Sequence, residues 1–476
     1  MQTQLYVAQA RTDSSCFQAI YIIFNFSSMV KVVKLRKGLD IKLRGTAPLE
    51  DIPIARGDVF ALCPDDFVGV TPKVVVKPGD RVLAGDALFL NKHYPEVKFS
   101  APVSGVVTEV ERGERRKVLS VRIQADKEIE YREFGVKDVS SLSGDEVVNA
   151  LLDAGIFGYI NQLPYAVSTN PAEKPRSIHV SAFRDMPLSS DFDYELNQNL
   201  EAFQTGISAL ARIQKVYVGI AEKQATVLGG LKDADVTVFK GKCPAGNVGV
   251  QINNTMPVNK GEVVWTVTPA TVIFIGRLFL TGKVDLRHVI ALAGQEVKKA
   301  GYSEVIVGQN VGTVTDGRIS DGNNRIICGN PLTGKRACPN CFIGPQVTEI
   351  TVIPEGDDAN EFFGWIMPRP GQFSSNRSYL SWLMPKSKEY ACDARIKGGE
   401  RHIIMSGEYD RVMPMDIYAE YLIKAIITGD IDKQEELGIY EVSPEDFALA
   451  EYVDSSKLEL QKIVREGLDI LRKENM

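Results

Sequence analysis

A multidomain chain of mixed α/β and α+β class is the architecture this sequence predicts, and three observations carry that expectation. Its 476 residues exceed what one hydrophobic core organises, which calls for about three or four domains at roughly 100–200 residues each. Strand-like and helix-like segments alternate through the middle of the chain, the pattern of an α/β layer. Nearer the start, short β runs are separated by Pro-Gly-Asp and Gly-Asp, turn sequences that reverse a chain tightly between strands. With 44% hydrophobic, 24% charged and 8% aromatic residues, the composition is globular and excludes collagenous, coiled-coil and disordered classes. A net charge of -6 lacks the basic excess of a phosphate-tracking protein, so no nucleic-acid partner is expected. Seven cysteines form no dense framework and fit a reducing compartment.

No stretch supplies the ~20 consecutive apolar residues of a spanning helix. The nearest candidate, residues 263–282, is interrupted by Pro269 and Arg277 and reads as strand, turn and helix start. The apolar run 17–26 is short, with only Arg11 before it, unlike a signal peptide. Residues 1–28 are expected to be an extension outside the fold, with Met29 as the natural start. The chain is expected to be soluble, though peripheral to something.

From Met29, residues 30–44 alternate apolar and basic side chains, suggesting a strand, a turn at Gly38 and a second strand. Lys31, Lys34, Arg36, Lys37, Lys42 and Arg44 against Asp40 make this stretch locally basic. It is either a solvated face or a docking surface for an acidic partner or lipid headgroups. In residues 66–125 the runs Val74-Val-Val-Lys-Pro-Gly79-Asp80 and Ala101-Pro102-Val-Ser-Gly105 resemble the barrel-sandwich domain of biotinyl and lipoyl carriers. Neither carrier sequence surrounds a lysine in residues 91–100, so a scaffold module is expected, in a domain spanning 29–125. Between 126 and 284, a capped helix starting at Ser143, strands at 178–182 and 216–220, and a helix over 194–212 predict a largely parallel sheet. A small mixed domain follows over 285–350. Residues 351–476 are a linker and a helical region, with one helix ending at Gly429 and another capped by Ser443-Pro444-Glu445-Asp446.

Little of this is catalytic. Gly241, Gly246 and Gly249 lie in a glycine-rich loop after a strand, where backbone amides can approach a phosphate. No Gly-Lys-Ser/Thr closes it, a proline interrupts it and no clear helix follows, so a tight structural loop is the stronger expectation. Cys338 and Cys341 form a C-x-x-C with Cys328 upstream and Cys392 beyond. Only two of the four have ligand spacing, and unliganded thiols are expected rather than a metal site, a cluster or a regulatory disulfide. Four dispersed histidines and the absence of a Gly-x-Ser-x-Gly elbow leave no nucleophile constellation.

Seven ordered stretches, Lys37-Gly38-Leu39-Asp40, Lys77-Pro-Gly-Asp80, Ser100-Ala-Pro-Val-Ser-Gly105, Pro244-Ala-Gly246, Val352-Ile-Pro-Glu-Gly356, Phe362-Phe-Gly-Trp365 and Tyr409-Asp-Arg-Val-Met-Pro-Met-Asp416, together resemble the NqrA family of the sodium-translocating NADH:quinone reductase. The resemblance covers roughly residues 29–476. It implies a Rossmann-like domain with a degenerate flavin site over 126–284 and a β-grasp, SLBB-like domain over 285–350. It is similar, too, to the flavin-binding NADH subunit of complex I and to RnfC. The implied setting is the cytoplasmic face of the bacterial inner membrane. The implied partners are the other Nqr subunits, NqrB to NqrF, and especially the membrane-embedded NqrB. No cofactor is implied here; FMN, FAD, riboflavin and iron–sulfur centres belong to the partners. Phe67, His93 and Tyr94 are the residues expected near a quinone, and Arg411 is expected in an ion pair. An autonomous flavin-dependent NADH dehydrogenase and an Rnf-type electron-transfer adaptor stay open as alternatives.

Overall fold

The computed structural model describes residues 30–357, 369 and 371–475; the expectations for residues 1–28 and for Phe362 to Trp365 lie outside them. The N-terminal unit is a barrel-sandwich. A four-stranded antiparallel sheet orders Val59–Leu62, Val118–Ala125, Gly105–Arg112 and Arg81–Val82. It faces a three-stranded sheet of Pro72–Val74, Ala87–Asn91 and Lys98–Ser100. Alternation along the strands sends Phe60, Leu62, Phe89, Phe99, Val107, Val121 and Ile123 into one core. The Pro78-Gly79-Asp80 turn is closed by Asp80, whose carboxylate accepts from the Lys77 amide at 2.7 Å.

The second unit carries a seven-stranded sheet. Its parallel part runs Lys31–Lys34, Ala234–Lys240, Val216–Ala221, Ile178–Ser181, Val264–Thr266, and Asn161–Leu163 and Val167–Ser168 complete it as antiparallel neighbours. The basic N-terminal stretch is therefore not the predicted hairpin. Lys31–Lys34 adds an edge strand to the α/β sheet, in register with Thr237 to Lys240. Gly38, at φ +131°, lets the chain pass close over the Cys243 carbonyl instead of turning back. The helix Gly144–Ala154 has the predicted cap at Ser143, which the structure completes as a capping box with Glu146 reciprocally bonded, and ends on left-handed Gly155. The helix expected over 194–212 is two, Phe192–Leu196 and Leu200–Ile213.

Pro269–Thr281 is the central helix, with Thr268 as N-cap, proline at its first turn and Gly282 as left-handed C-cap. Nearly all of it is buried, and Arg277 is accommodated by Asn199 at 2.6 Å and by Asp285 at 3.7 Å. It crosses Leu200–Ile213 at backbone contact distance. A methyl group on Gly276 would overlap the Ala202 carbonyl, and one on Gly206 the Val272 carbonyl.

The third unit is a five-stranded mixed sheet ordered Gly301–Ile306, Arg287–Ala293, Glu349–Pro354, Asn324–Cys328, Lys335–Ala337. Its first and last principal strands, Arg287–Ala293 and Glu349–Pro354, lie side by side and parallel, the β-grasp arrangement. The last strand runs four residues beyond the expected boundary at 350. The C-terminal helices, among them Ala419–Thr428, Ala448–Val453 and Leu460–Glu474, form a second core around Tyr409, Leu422, Ile423, Phe447, Leu460 and Leu468. Among the described residues, no helix is long and apolar enough to cross a membrane.

Replacing Gly276 with alanine forces the two crossing helices apart, since both clashing atoms are backbone. G276A should lower unfolding free energy by about 1–3 kcal/mol, the range for overpacking a dense core, measured by urea titration. An unchanged midpoint would contradict this helix contact.

Candidate functional site

In an open parallel sheet, ligands bind where neighbouring strands leave in opposite directions, outside their carboxyl ends. That point lies here between Ile178–Ser181 and Val264–Thr266: from Ile178–Ser181 the chain builds one way through Val216–Ala221 and Ala234–Lys240, and Val264–Thr266 pairs on the other side. A cleft of about 590 Å³ opens there, between Ser181, the 183–186 loop, Gly246, the 266–269 turn and the β-grasp hairpin around Gly329 and Lys335. Arg184 crosses one wall, donating to Ser190 Oγ at 2.9 Å and facing the buried Glu195 at 3.6 Å.

The glycine loop forms part of another wall, and its chemistry is opposite to that of a phosphate cradle. The Gly246 amide donates to Asp185 Oδ2 at 3.0 Å, and a methyl group on Gly246 would stand 2.8 Å from Asp185 Oδ1. At Gly249 a methyl group would overlap the Asp446 carboxylate. Asp446 is fixed by the Ser443 amide and hydroxyl at 2.9 and 2.8 Å and by Asn247 Nδ2 at 3.3 Å. Gly241 serves a different contact, packing on Leu35, while the Cys243 amide donates to Asp40 at 3.0 Å. A short helix, Val248–Asn253, does follow the loop, contrary to the sequence expectation; it is too brief to project the periodicity of a longer one. Glycine supplies close approach here, but two carboxylates make it. Burial pushes Asp185 up to about 6 and raises Asp446 as well, so an added phosphate would meet acidic groups already short of solvation. The residues present do not fit a flavin phosphate.

The three residues expected near a quinone do not line one cleft. Phe67 is 3% exposed and fills the domain interface, its ring 4.3 Å from Phe99 and 5.0 Å from Tyr159. His93 is exposed on the 91–98 hairpin tip. Tyr94 lines a second cleft, of about 410 Å³, together with Tyr165, Tyr440, Lys260, Arg472 and Asn475. Sequence reasoning missed these partners because they come from four distant segments. Lys260 is held by Glu435 at 2.7 Å, and Asn475 donates to the Tyr165 and Tyr440 hydroxyls at 3.2 and 3.3 Å. Arg411 is paired with Glu408 at 2.9 Å, as expected.

Cys338 and Cys341 sit with Sγ atoms 2.7 Å apart in the loop after Lys335–Ala337. Burial pushes both the Cys328 thiol and the Cys63 thiol of the barrel-sandwich up to about 12, with nearby Cys341 among the lesser causes for each. Cys392 lies elsewhere, beside Asp393 and Tyr452. Among the described residues, no three His, Cys, Asp or Glu side chains are placed to hold a metal ion together.

A barrel-sandwich, a largely parallel α/β sheet and a β-grasp unit, with carboxylates packed on the glycine loop between them, define a multidomain protein of mixed α/β and α+β class. Comparison with known proteins makes this particular. Residues 33–126 match the NqrA N-terminal barrel-sandwich hybrid domain, 142–284 the NqrA second alpha/beta domain and 289–339 the NQRA C-terminal domain. The chain is 36% identical over 452 residues to the NqrA protein of the Na(+)-translocating NADH-quinone reductase of Serratia proteamaculans (strain 568), covering 93% of this chain and 100% of the relative. It is 33% identical over 449 residues to the protein of the same name from Yersinia pestis bv. Antiqua (strain Angola), with the same coverage. The chain belongs to the NqrA family. Among solved structures, the NAD+-reducing [NiFe]-hydrogenase in the H2-reduced state aligns over 45% of this chain and 50% of that one, at 13% identity and a TM-score of 0.33.

Two outcomes test this geometry. Because the folded state keeps the Asp185 proton to about pH 6 while an unfolded aspartate loses it near pH 4, Asp185 costs stability as pH rises through that window. D185N should therefore match wild type near pH 4 and exceed it above pH 6.5, by on the order of 1–3 kcal/mol, in denaturation curves at both pH values; equal curves would refute the burial of a carboxylate here. In thiol mapping by mass spectrometry at pH 8, exposed Cys338 should alkylate first. Cys63 and Cys328, pushed up to about 12 by burial, should stay unmodified until the chain unfolds; early labelling of either would contradict their packing.

Proposed function

We propose that this chain is the peripheral NqrA component of a complex that passes electrons from NADH to ubiquinone or menaquinone and exports Na+, and that the chain alone is not catalytic. The observation that carries the reading is end-to-end correspondence with relatives bearing that name, across their whole length. Its place is the cytoplasmic face of the inner membrane. Its partners are NqrB to NqrF, with the membrane-embedded NqrB the principal one. FMN, FAD, riboflavin and iron–sulfur centres are carried by those partners and none by this chain. The carboxylates of Asp185 and Asp446 against Gly246 and Gly249 favour that assignment, and they disfavour an autonomous flavin-dependent NADH dehydrogenase, whose flavin phosphate would need the same amides. Of the quinone-proximal candidates, Tyr94 has the right setting: a cleft with aromatic walls, the donor Arg472 and the Tyr165 hydroxyl, which accepts from Asn475 and keeps its own hydrogen to donate, suited to a ring with two carbonyls.

The test is purification of the tagged chain from membranes of cells that express the whole set of Nqr proteins, and separately from cells that express it alone. Co-purification with hydrophobic partners in the first case, and a colourless chain without NADH dehydrogenase activity in the second, are expected. A free monomer in the first preparation, or a yellow, NADH-oxidising chain in the second, would overturn the reading.

A further inference from the structure

The 371–388 segment places its apolar side chains on the wrong side for a water-facing turn. Leu380–Leu383 is a short 3-10 turn in which Leu380, Trp382 and Leu383 are 41%, 55% and 60% exposed while Ser381, between them, is 8% exposed. The inversion is held by hydrogen bonds. Ser381 Oγ accepts from the Ser374 amide at 3.0 Å, and the Ser381 carbonyl accepts from the Tyr390 hydroxyl at 3.3 Å. Tyr390 is itself buried and braced by Phe373, 5.4 Å away. Rotation of the turn to bury its leucines would break these contacts and expose a serine that has none of the apolar surface needed to replace them.

Beside this tip lies the basic stretch that the sequence singled out and the fold left in solvent. Tyr390 is its point of attachment: its amide donates to the Lys42 carbonyl at 2.9 Å, and the Arg44 amide donates to the Tyr390 carbonyl at 3.0 Å. Lys42 and Arg44 are exposed. The turn contributes cations of its own. Residues 371–388 contain Arg377, Lys386 and Lys388 and no aspartate or glutamate, in a chain of net charge -6. Arg377 stacks on the Trp382 ring at 5.6 Å.

We propose that the Leu380–Leu383 turn inserts into the headgroup boundary of an anionic lipid bilayer, with Lys42, Arg44 and the cations of the turn engaging lipid phosphates. A tryptophan between Leu380 and Leu383, with Arg377 over its ring and a cationic surplus in the segment despite exposed Glu389, matches the chemistry of the membrane–water interface, where an amphipathic ring is half solvated and basic groups meet anionic headgroups. A protein partner is the poorer fit, because three side chains on a narrow tip fall well short of the ~1,000 Å² that a specific interface buries. The proposal rests on the reading of this chain as peripheral to a membrane and adds a direct lipid contact to it.

The experiment is flotation of the purified full-length chain with vesicles of phosphatidylcholine alone or mixed with phosphatidylglycerol, at low and at physiological salt. Wild type should float with the anionic vesicles, less so at higher salt, and hardly with phosphatidylcholine. W382S/L383S should reduce the floated fraction at least about fivefold, and K42E/R44E roughly tenfold with loss of the salt dependence. Both pairs are exposed, so melting temperatures should match wild type. Equal flotation of W382S/L383S and wild type, or no preference for anionic vesicles, overturns the proposal. So does a turn variant that fails to co-purify with the membrane-embedded partners while wild type never floats, since the tip is then a protein interface. Failure of flotation with co-purification intact leaves the proposed function standing, whereas loss of wild-type co-purification removes that reading instead.

Discussion

One run of aromatic contacts ties the molecule together. Phe89 stacks on Phe99 at 4.8 Å, Phe99 meets Phe67 at 4.3 Å, and Phe67 meets the edge of Tyr159 at 5.0 Å. From there Tyr159 reaches Phe274 on the central helix at 6.3 Å, and Phe274 reaches His288 of the β-grasp sheet at 6.1 Å. Three units with separate sheets thus share a continuous apolar seam. Such edge and tilted contacts add to the area each ring removes from water. Glycine makes the seam possible: a side chain at Gly158 would collide with Phe99, and one at Gly155 with Ser100. With Phe67 committed to this seam, the clefts at the unit boundaries keep their shape and have no access to its ring.

The two clefts differ in what the fold has done with them. Beside the sheet switch point, the fold makes an internal joint. Asp446, from the C-terminal helical region, packs against Gly249, and the Asn247 side chain bonds it and the Glu445 carbonyl together. Two buried carboxylates are expensive to hold in a low-dielectric site, and fixed donors from Ser443, Asn247 and Gly246 offset part of that cost. These bonds attach the C-terminal helical region to the α/β unit. The Tyr94 cleft, by contrast, is built from side chains of the barrel-sandwich tip, the 164–167 turn and the last helix, and it remains open.

Local signals in the sequence translated well where the physics is local. Ser143, Gly155, Gly429 and the Ser443-Pro444 start each sit at the helix end their chemistry indicates, because capping is decided within one turn. Pairings decided at long range were less legible. Alternation in residues 30–44 is equally consistent with a hairpin and with an edge strand; only the presence of Ala234–Lys240, two hundred residues later, selects the latter. Phe67 looked like a stacking platform because a lone aromatic before a β run carries no mark of what packs on it. The carboxylates packed against the glycine loop, Asp185 and Asp446, lie at distances in sequence that no spacing rule connects. Cys63 was passed over for the same reason, and Cys392 was grouped with thiols it does not approach.

The pairing of Lys31–Lys34 with Thr237 to Lys240 also orders events in time. The chain emerges from the ribosome at roughly 5–20 residues per second, so the first strand waits on the order of ten to forty seconds for its partner. The barrel-sandwich beyond it closes on neighbours much nearer in sequence and can assemble during that interval. The α/β sheet cannot gain its edge until the polypeptide has returned past residue 240. The oldest described part of the nascent chain thus waits unpaired longer than any strand of the barrel-sandwich.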